Sequence, residues 1–161
     1  MPSKAPHQRN AVRFEPRPVD DGEVRTLYVD FIAESDGPLG IDVAAEAAAG
    51  PPGDLEPPGG GLLLVRVDGE AAGLGGVRHL DTGVAEVKSM YMAPAFRGRG
   101  ISRRLLAELE AIAARHGCST VRLDSSGYLS AALALYRSAG YREVPDYNGN
   151  PKADIWFERQ L

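Results

Sequence analysis

Residues 92–106, Met-Ala-Pro-Ala-Phe-Arg-Gly-Arg-Gly-Ile-Ser-Arg-Arg-Leu-Leu, gather the groups best suited to hold a ligand. A strand-like run ends before Pro94, which lacks the N–H that a sheet ladder needs. A helical pattern starts near Ile101. Between them, Gly98 and Gly100 allow the backbone to come close to a ligand, and the free N–H groups at a helix start form an anion site. Arg97, Arg99, Arg103 and Arg104 surround that start, and the first acid after it is Glu108. Cations there oppose the helix dipole by roughly 0.3–1 kcal/mol each. A bound phosphate or pyrophosphate would offset this repulsion. The GxxxxGK[ST] spacing of a nucleotide P-loop is absent. Arg103 stands where the third glycine of GxGxxG belongs, so that motif fits poorly too.

The flanking elements must position this loop. Ala11–Glu15 alternates and predicts a short strand. Over Asp20–Glu34, the residues Val24, Leu27, Tyr28, Phe31 and Ile32 recur at helical spacing. A shorter Ala-rich helix is expected over Asp42–Ala49. Residues 50–61, GPPGDLEPPGGG, break any regular element and read as a surface loop or, alternatively, a mobile lid. Leu62–Val67, Glu70–Arg78 and Val84–Met92 follow as strands, the second weakened by Gly73, Gly75 and Gly76. They are joined by an Asp68-Gly69 hairpin turn and a turn at 81–83. Ile101–His116 is a helix stopped by Gly117. Val121–Asp124 is a strand, Ser130–Ala139 a helix ending at Gly140, and Tyr141–Val144 and Asp154–Gln160 are strands. The order β-α-α-β-β-β-α-β-α-β-β predicts a mixed α/β sheet with an antiparallel N-terminal meander and a βαβ crossover. Residues 1–10 read as a flexible tail and 11–161 as one domain.

The chain has 161 residues, 43% hydrophobic and 25% charged, which suits a single globular domain with a real core. No apolar run reaches the ~18–20 residues of a membrane helix. The N-terminus has no apolar signal segment, so a cytoplasmic location and no membrane partner are expected. A net charge of −4 weighs against nucleic-acid binding. The arginine bias, 15 Arg against 3 Lys, suits phosphate contacts but also fits a simple compositional preference. Cys118 is the single cysteine, which excludes an internal disulfide and a multi-cysteine zinc site. His7, His79 and His116 have no ligand spacing, so no metal is expected.

The run Arg97-x-x-Gly100-x-Ser102 resembles the [QR]-x-x-G-x-[GA] signature of the GNAT superfamily of acyl-CoA-dependent N-acetyltransferases. AEVKSMYMAP (85–94) resembles that family's fourth strand with its splayed end. LYRSAGYREV (135–144) resembles its LYxxxGF segment, and the element order matches across almost the whole chain. Ser102 departs from the usual Gly or Ala but stays small, and its hydroxyl can donate to phosphate. Leu129 stands where many members carry an asparagine, which puts any polar contact from that side chain in doubt.

The resemblance implies a GNAT fold and direct acetyl transfer from acetyl-CoA, as cosubstrate, to a primary amine. Acetyl-CoA would lie in a V-shaped gap between the strands at 84–92 and 121–124. The backbone of Met90, Tyr91 and Met92 would run beside pantetheine, with an N–H there polarising the thioester carbonyl. Arg97, Gly98, Arg99, Gly100, Ile101, Ser102 and Arg103 would hold the pyrophosphate, and Ala132 and Tyr136 would complete the cofactor side. Tyr136 is the implied general acid for the leaving thiolate; a phenol titrates near ~10 and a thiol near ~8.5, so that transfer is not strongly driven. As a packing tyrosine it also fits a helix face with Leu133.

Glu86 matches a strand glutamate that serves as general base in some members. Its other reading is a solvated glutamate paired with Lys88 or an arginine. Alternation places Glu86, Lys88 and Met90 on one face unless a bulge near Ser89 changes the parity. Asp124 is the second candidate base. Phe31, Tyr28 and the 50–61 loop are candidate acceptor-side groups, and the Tyr141–Tyr147 and NGNPKAD segments border either the acceptor site or a plain hairpin. Cys118 reads as a small apolar residue and His79 as a turn residue. Asp124-Ser125-Ser126-Gly127 lacks the GxSxG elbow of a serine hydrolase. Two rival functions stay open: a non-catalytic acyl-CoA sensor, and transfer of a longer acyl group. The acceptor is a small molecule or a protein amine; the acidic pI leans slightly toward a cationic one. The family's frequent dimerisation offers a homodimer as a further expectation.

Overall fold

A computed structural model describes residues 11–161; the expected tail at 1–10 lies outside the described residues. Strand β1 (Val12–Pro16) leads into helix α1 (Gly22–Ser35), whose first N–H groups at Glu23 and Val24 are capped by the Asp21 carboxylate. A short 3₁₀ turn at Gly37–Leu39 precedes α2 (Val43–Ala49), capped in the same way by Asp42. The meander is β2 (Gly61–Val67), β3 (Glu70–Asp81) and β4 (Val84–Met92). Then come α3 (Ile101–Arg115), β5 (Thr120–Ser125), α4 (Ser130–Ser138), β6 (Arg142–Val144) and β7 (Ile155–Gln160).

All seven strands join one sheet in the order β1-β2-β3-β4-β5-β7-β6. Only the β4–β5 pair is parallel, which is the predicted βαβ crossover through α3. Asp68 and Gly69 both take positive φ, 49° and 88°, as a two-residue hairpin turn requires. The sheet buries apolar side chains on both faces. On one face Leu63, Val65, Val77, Ala85 and Val87 meet Leu105, Leu106 and Leu109 of α3 and Leu133 and Tyr136 of α4. On the other, Leu62, Leu64, Leu74 and Tyr91 meet Val24, Leu27, Tyr28 and Ile32 of α1.

Three details differ from the expectations. Strand β3 runs on to Asp81, so His79 is an exposed strand residue facing Ala85 rather than a turn residue. The glycines of β3 mark close approaches instead of weakness. A Cβ at Gly76 would lie 2.7 Å from Leu55, and one at Gly75 would lie 3.0 Å from Leu109. The Pro/Gly-rich segment is therefore no free lid: Leu55 is fully buried beneath α1 and pins it to the sheet. Among the described residues no helix is long and apolar enough to cross a membrane.

Candidate active site

Strands β4 and β5 pair only through Val84↔Thr120, Ala85↔Val121 and Glu86↔Arg122. Beyond Glu86 they part. β5 continues along β7 on its other side, and β4 continues along β3. The β4 backbone bends where Ser89 takes φ 58° and the β3 register shifts between Leu74 and Gly76. This bulge resets the side-chain parity. Tyr91, not Met90, joins the Glu86 and Lys88 face, and Met90 turns toward Gly75 and α3. Among the described residues no strand pairs with the β4 edge at 87–92 that faces the gap.

The gap is a cleft of about 470 Å³. Eleven of the twelve residues expected on the cofactor side line it: Met90, Tyr91, Met92, Arg97, Gly98, Gly100, Ile101, Ser102, Arg103, Ala132 and Tyr136. Arg99 is the exception; it lies over the Phe96 ring and donates to the Ala95 carbonyl. The entrance to α3 is bare. Gly100 at the N-cap has φ 72°, no side chain caps the helix, and no acid sits in the first turn. The N–H groups of Ile101, Ser102 and Arg103 therefore lack helical partners. Nothing lies within 4 Å of where a Cβ would stand at Gly98 or Gly100.

The arginines do not converge on this entrance. Arg97 donates Nε–H to the Met92 carbonyl at 2.8 Å and pairs with Glu34 of α1 at 2.6 Å. Arg103 donates to the Ser138 carbonyl at the end of α4, and Arg104 stacks over Phe14. Arg97 and Arg103 brace the walls of the cleft, and the backbone amides at the start of α3 remain without helical partners.

Past Tyr136 a second cavity of about 410 Å³ opens. It shares Phe31, Ser35, Met90, Leu129, Ala132 and Tyr136 with the cleft, so the two spaces meet at Tyr136. Tyr28 and Phe31 of α1 line it, as does Pro52 from the Pro/Gly-rich segment. Leu129 stands at the start of α4 with no capping bond and offers both spaces an apolar surface. Tyr136 packs its ring against Tyr141 and Phe157. Its hydroxyl has no hydrogen-bond partner among the described residues. Burial, with a smaller contribution from the Asp124 charge, pushes its pKa up to about 12, so the phenol stays protonated at neutral pH.

Glu86 is fully buried and absent from the lining of either space. It accepts from Arg78 at 2.8 and 2.9 Å, from the Tyr147 hydroxyl at 2.6 Å and from Asn148 at 3.1 Å. The expectation of a solvated glutamate paired with Lys88 or an arginine is thus corrected in one respect: Arg78 pairs with it and Lys88 Nζ lies 3.7 Å away, but the Glu86 carboxylate is buried, with Tyr147 and Asn148 of the β6–β7 loop folded over it. Asp124 does line the second cavity. Its Oδ2 accepts from Lys88 at 2.9 Å, Asn148 at 2.6 Å and Asn150 at 3.1 Å. Burial pushes the Asp124 pKa upward, but the Lys88 charge and the hydrogen bonds from Asn148, Lys88 and Asn150 outweigh it and hold the group below the usual aspartate value.

The Tyr141–Tyr147 and NGNPKAD segments, read from the sequence as bordering either the acceptor site or a plain hairpin, bring Asn148, Asn150 and Lys152 onto the wall of this second cavity, with Tyr147 behind them on Glu86. The signal was the polar density of Tyr-Asn-Gly-Asn-Pro-Lys itself, too dense for an idle hairpin. Cys118 is buried in the core below α3, as expected of a small apolar residue. Among the described residues no group of three or more His, Cys, Asp or Glu side chains is arranged to hold a metal ion.

Comparison with known proteins adds three findings. The sequence profile of the acetyltransferase (GNAT) family matches residues 23–141. Among curated relatives, the uncharacterized N-acetyltransferase YjgM of Escherichia coli is 31% identical over 111 residues, 65% of this chain and 66% of its own. The IAA acetyltransferase of Azospirillum brasilense is 36% identical over 104 residues, 62% of this chain and 67% of its own. The chain thus spans about two thirds of the length of these two relatives. Among solved structures, PaiA N-acetyltransferase from Thermoplasma acidophilum in complex with coenzyme A shares the fold, with a TM-score of 0.71. That match is 14% identical in sequence and covers 94% of this chain and 99% of the other.

Proposed function

This chain belongs to the GNAT acetyltransferase family, and from that premise we propose that it transfers the acetyl group of acetyl-CoA directly to a primary amine. One observation carries the reading: the uncapped start of α3 adjoins the unpaired edge of β4 within a single cleft. The amides of Gly98 to Arg103 hold the pyrophosphate, with the helix dipole adding to their attraction. The Ser102 hydroxyl is a further donor. The free edge of β4 at Met90, Tyr91 and Met92 takes the amide groups of pantetheine as a strand would. An N–H on that edge polarises the thioester carbonyl, and Ala132 leaves room opposite.

The amine nitrogen attacks the carbonyl carbon, a tetrahedral oxyanion forms, and the C–S bond breaks. The products are an amide and the CoA thiolate. Tyr136 stands where the two spaces meet and donates a hydrogen bond to that sulfur. With its own pKa near 12 and a thiol near ~8.5, it stabilises the thiolate more than it surrenders its proton. Asp124 orients the amine from the second cavity. A carboxylate held this low is a weak base, so the surplus proton leaves through water. Glu86 acts as a positioning residue behind Asp124, reaching it through Asn148.

Calorimetric titration with acetyl-CoA, followed by thiol release over a panel of amines, tests this reading. Micromolar binding with turnover of one amine class is the expected result. Absence of acetyl-CoA binding would remove the anion-site assignment and the function with it.

A further inference from the structure

Around the second cavity three cations stand against five carboxylates: Arg78 pairs with Glu86 and Asp54, Lys88 with Asp124, and Lys152 with Asp36 and Glu46. No other cation is among the lining residues. The ion pairs therefore leave two formal negative charges in excess, and they lie in different places. One is at Arg78, where Glu86 is buried behind the wall, the Asp54 side chain is 59% exposed, and neither lines the cavity. The other is at Lys152, and this one reaches the cavity, because Asp36 and Lys152 both line it. Lys152 Nζ donates to Asp36 Oδ2, just after α1, at 3.0 Å and to Glu46 Oε2 of α2 at 2.7 Å. Asp36 Oδ1 accepts from the neighbouring Ser35 hydroxyl alone. A carboxylate has about four acceptor sites, so Asp36 has room for another donor.

A second observation is independent of this charge count. Apart from Tyr136, two nine-tenths-buried side chains on the wall carry a polar atom with no partner among the described residues. Asp124, its side chain 10% exposed, accepts three hydrogen bonds at Oδ2 and none at Oδ1. Its charge acts on the Tyr136 hydroxyl, which puts Asp124 at the junction with the cleft. Tyr28 is 6% exposed, and its hydroxyl makes no hydrogen bond. Burial keeps that phenol protonated, and the charges that act on it are those of Lys152, Asp36 and Glu46. Buried polar atoms are almost always satisfied, so each of these two calls for a polar group that arrives with the ligand. One such group belongs at Asp124 and the other at the Lys152 end.

We propose that the acceptor is a diamine: one amine is acetylated beside Asp124, while the second, as an ammonium, rests against Tyr28 and Asp36 with Glu46 behind them. The proposal rests on the acetyl-transfer reading above and names its substrate class. An ammonium brings three donors and no acceptor, which suits a phenol oxygen and a carboxylate with room to spare. It also neutralises the excess charge left by Asp36, Glu46 and Lys152. A carboxylate in the same place would add to that excess, and a methyl group would leave the Tyr28 hydroxyl unsatisfied. The slight lean toward a cationic acceptor that the acidic pI suggested thus has a local counterpart in the cavity.

The test measures kcat/KM on the full chain for putrescine, n-butylamine and γ-aminobutyrate, which share a four-carbon chain and differ in the charge of the far end. The same trio with three and with five carbons covers other spans between the two ends. At the best length the diamine leads the monoamine by at least about tenfold, well beyond the factor of about two that a second reacting end supplies, and the amino acid comes last. Two variants then move the diamine-to-monoamine ratio in opposite directions. Glu46→Gln removes the excess charge and lowers the ratio by about tenfold, whereas Lys152→Met removes the competing cation and raises it. A ratio taken within one sample does not depend on how much of the variant is folded. A monoamine or amino acid used as well as the diamine at every length would overturn the proposal while leaving acetyl transfer in place. A ratio that moves the same way in both variants, or in neither, would overturn the site at Tyr28 and Asp36. Turnover of none of these amines would overturn the proposal, and thiol release with no amine of the wider panel, in protein that binds acetyl-CoA, would take the transfer reading with it.

Discussion

The two spaces that meet at Tyr136 are built from different materials. The cleft beside α3 is a backbone site: an uncapped helix start, two glycines with positive φ and an unpaired strand edge. Its arginines turn away to brace the walls. The cavity beyond Tyr136 is a side-chain site: Arg78, Lys88, Asp124, Asn148 and Lys152 are on its wall, and Glu86 and Tyr147 stand behind them, bonded to Arg78 and Asn148. A backbone site constrains sequence only where a special conformation is needed, so it tolerates much change around a short motif. A side-chain site specifies its residues one by one. On the proposed function, the shared reagent falls to the first and the choice of acceptor to the second.

The largest effect that separates the two regions is expected at Glu86. Glu86→Ala leaves the Tyr147 hydroxyl without its acceptor and takes from Arg78 and Asn148 one partner each, leaving them Asp54 and Asp124. Removing this buried acceptor from its donors costs roughly 1–3 kcal/mol, read as a lowered urea midpoint at unchanged m. Acetyl-CoA affinity in the fraction that stays folded should hardly change, since the residue belongs to the other region. A large loss of affinity at constant stability would erase the distinction drawn between them.

Tyr136→Phe sits on the boundary. Turnover should fall by roughly a hundredfold, at the low end of what a positioned proton donor contributes, with acetyl-CoA binding retained. In the unaltered protein, kcat/KM should rise with pH as the acceptor amine loses its proton. No falling limb from Tyr136 is expected below about pH 11, because burial holds its hydroxyl near 12. A falling limb near neutrality that vanishes in Tyr136→Phe would contradict the assignment.

Gly100→Ala tests the backbone region. Its φ of 72° is left-handed, and a side chain there costs about 1–2 kcal/mol while placing a methyl group in the open space before the helix start. Acetyl-CoA affinity should drop by about tenfold, with the acceptor preference unmoved. Arg99→Glu with Arg103→Glu should also weaken binding, less sharply and more at low salt, because these guanidiniums act through their charge.

The smallest effect concerns acid stability. The folded-state pKa of Asp124 is depressed, so its stabilising contribution is present above the usual aspartate value and is lost as the pH falls through the folded one. The stability gap between the unaltered protein and Asp124→Asn should therefore hold above about pH 5 and shrink as the pH falls through the usual aspartate value and on through the folded one. A constant gap would mean that the Lys88 and asparagine contacts do not hold the carboxylate down.

The same contrast explains what could be read from the chain in advance. Periodicity and glycine placement gave every helix and strand in order, because α1, α3 and α4 carry clean apolar stripes and the turns at Asp68-Gly69 and Gly117 need positive φ. The cleft was legible because Arg97 to Ser102 is contiguous. The second cavity was legible only in part: Tyr28, Phe31, the 50–61 loop, Asp124 and the NGNPKAD segment were candidates for it, but not how they join. Its bonds join Glu86 to Tyr147, Asp124 to Asn148 and Lys152 to Asp36, pairs that no local pattern announces. The face of Met90 depended on a bulge at Ser89, which is set by how β3 and β4 pack rather than by the residues of β4 alone.

The central claim is that acetyl leaves CoA for an amine at the junction held by Tyr136. The most direct measurement follows free CoA thiol and N-acetylated product together in one reaction with a small amine. Equal amounts of the two, both falling together in Tyr136→Phe, are the predicted result. Thiol released without acetylated amine, or neither product from protein saturated with acetyl-CoA, would contradict it.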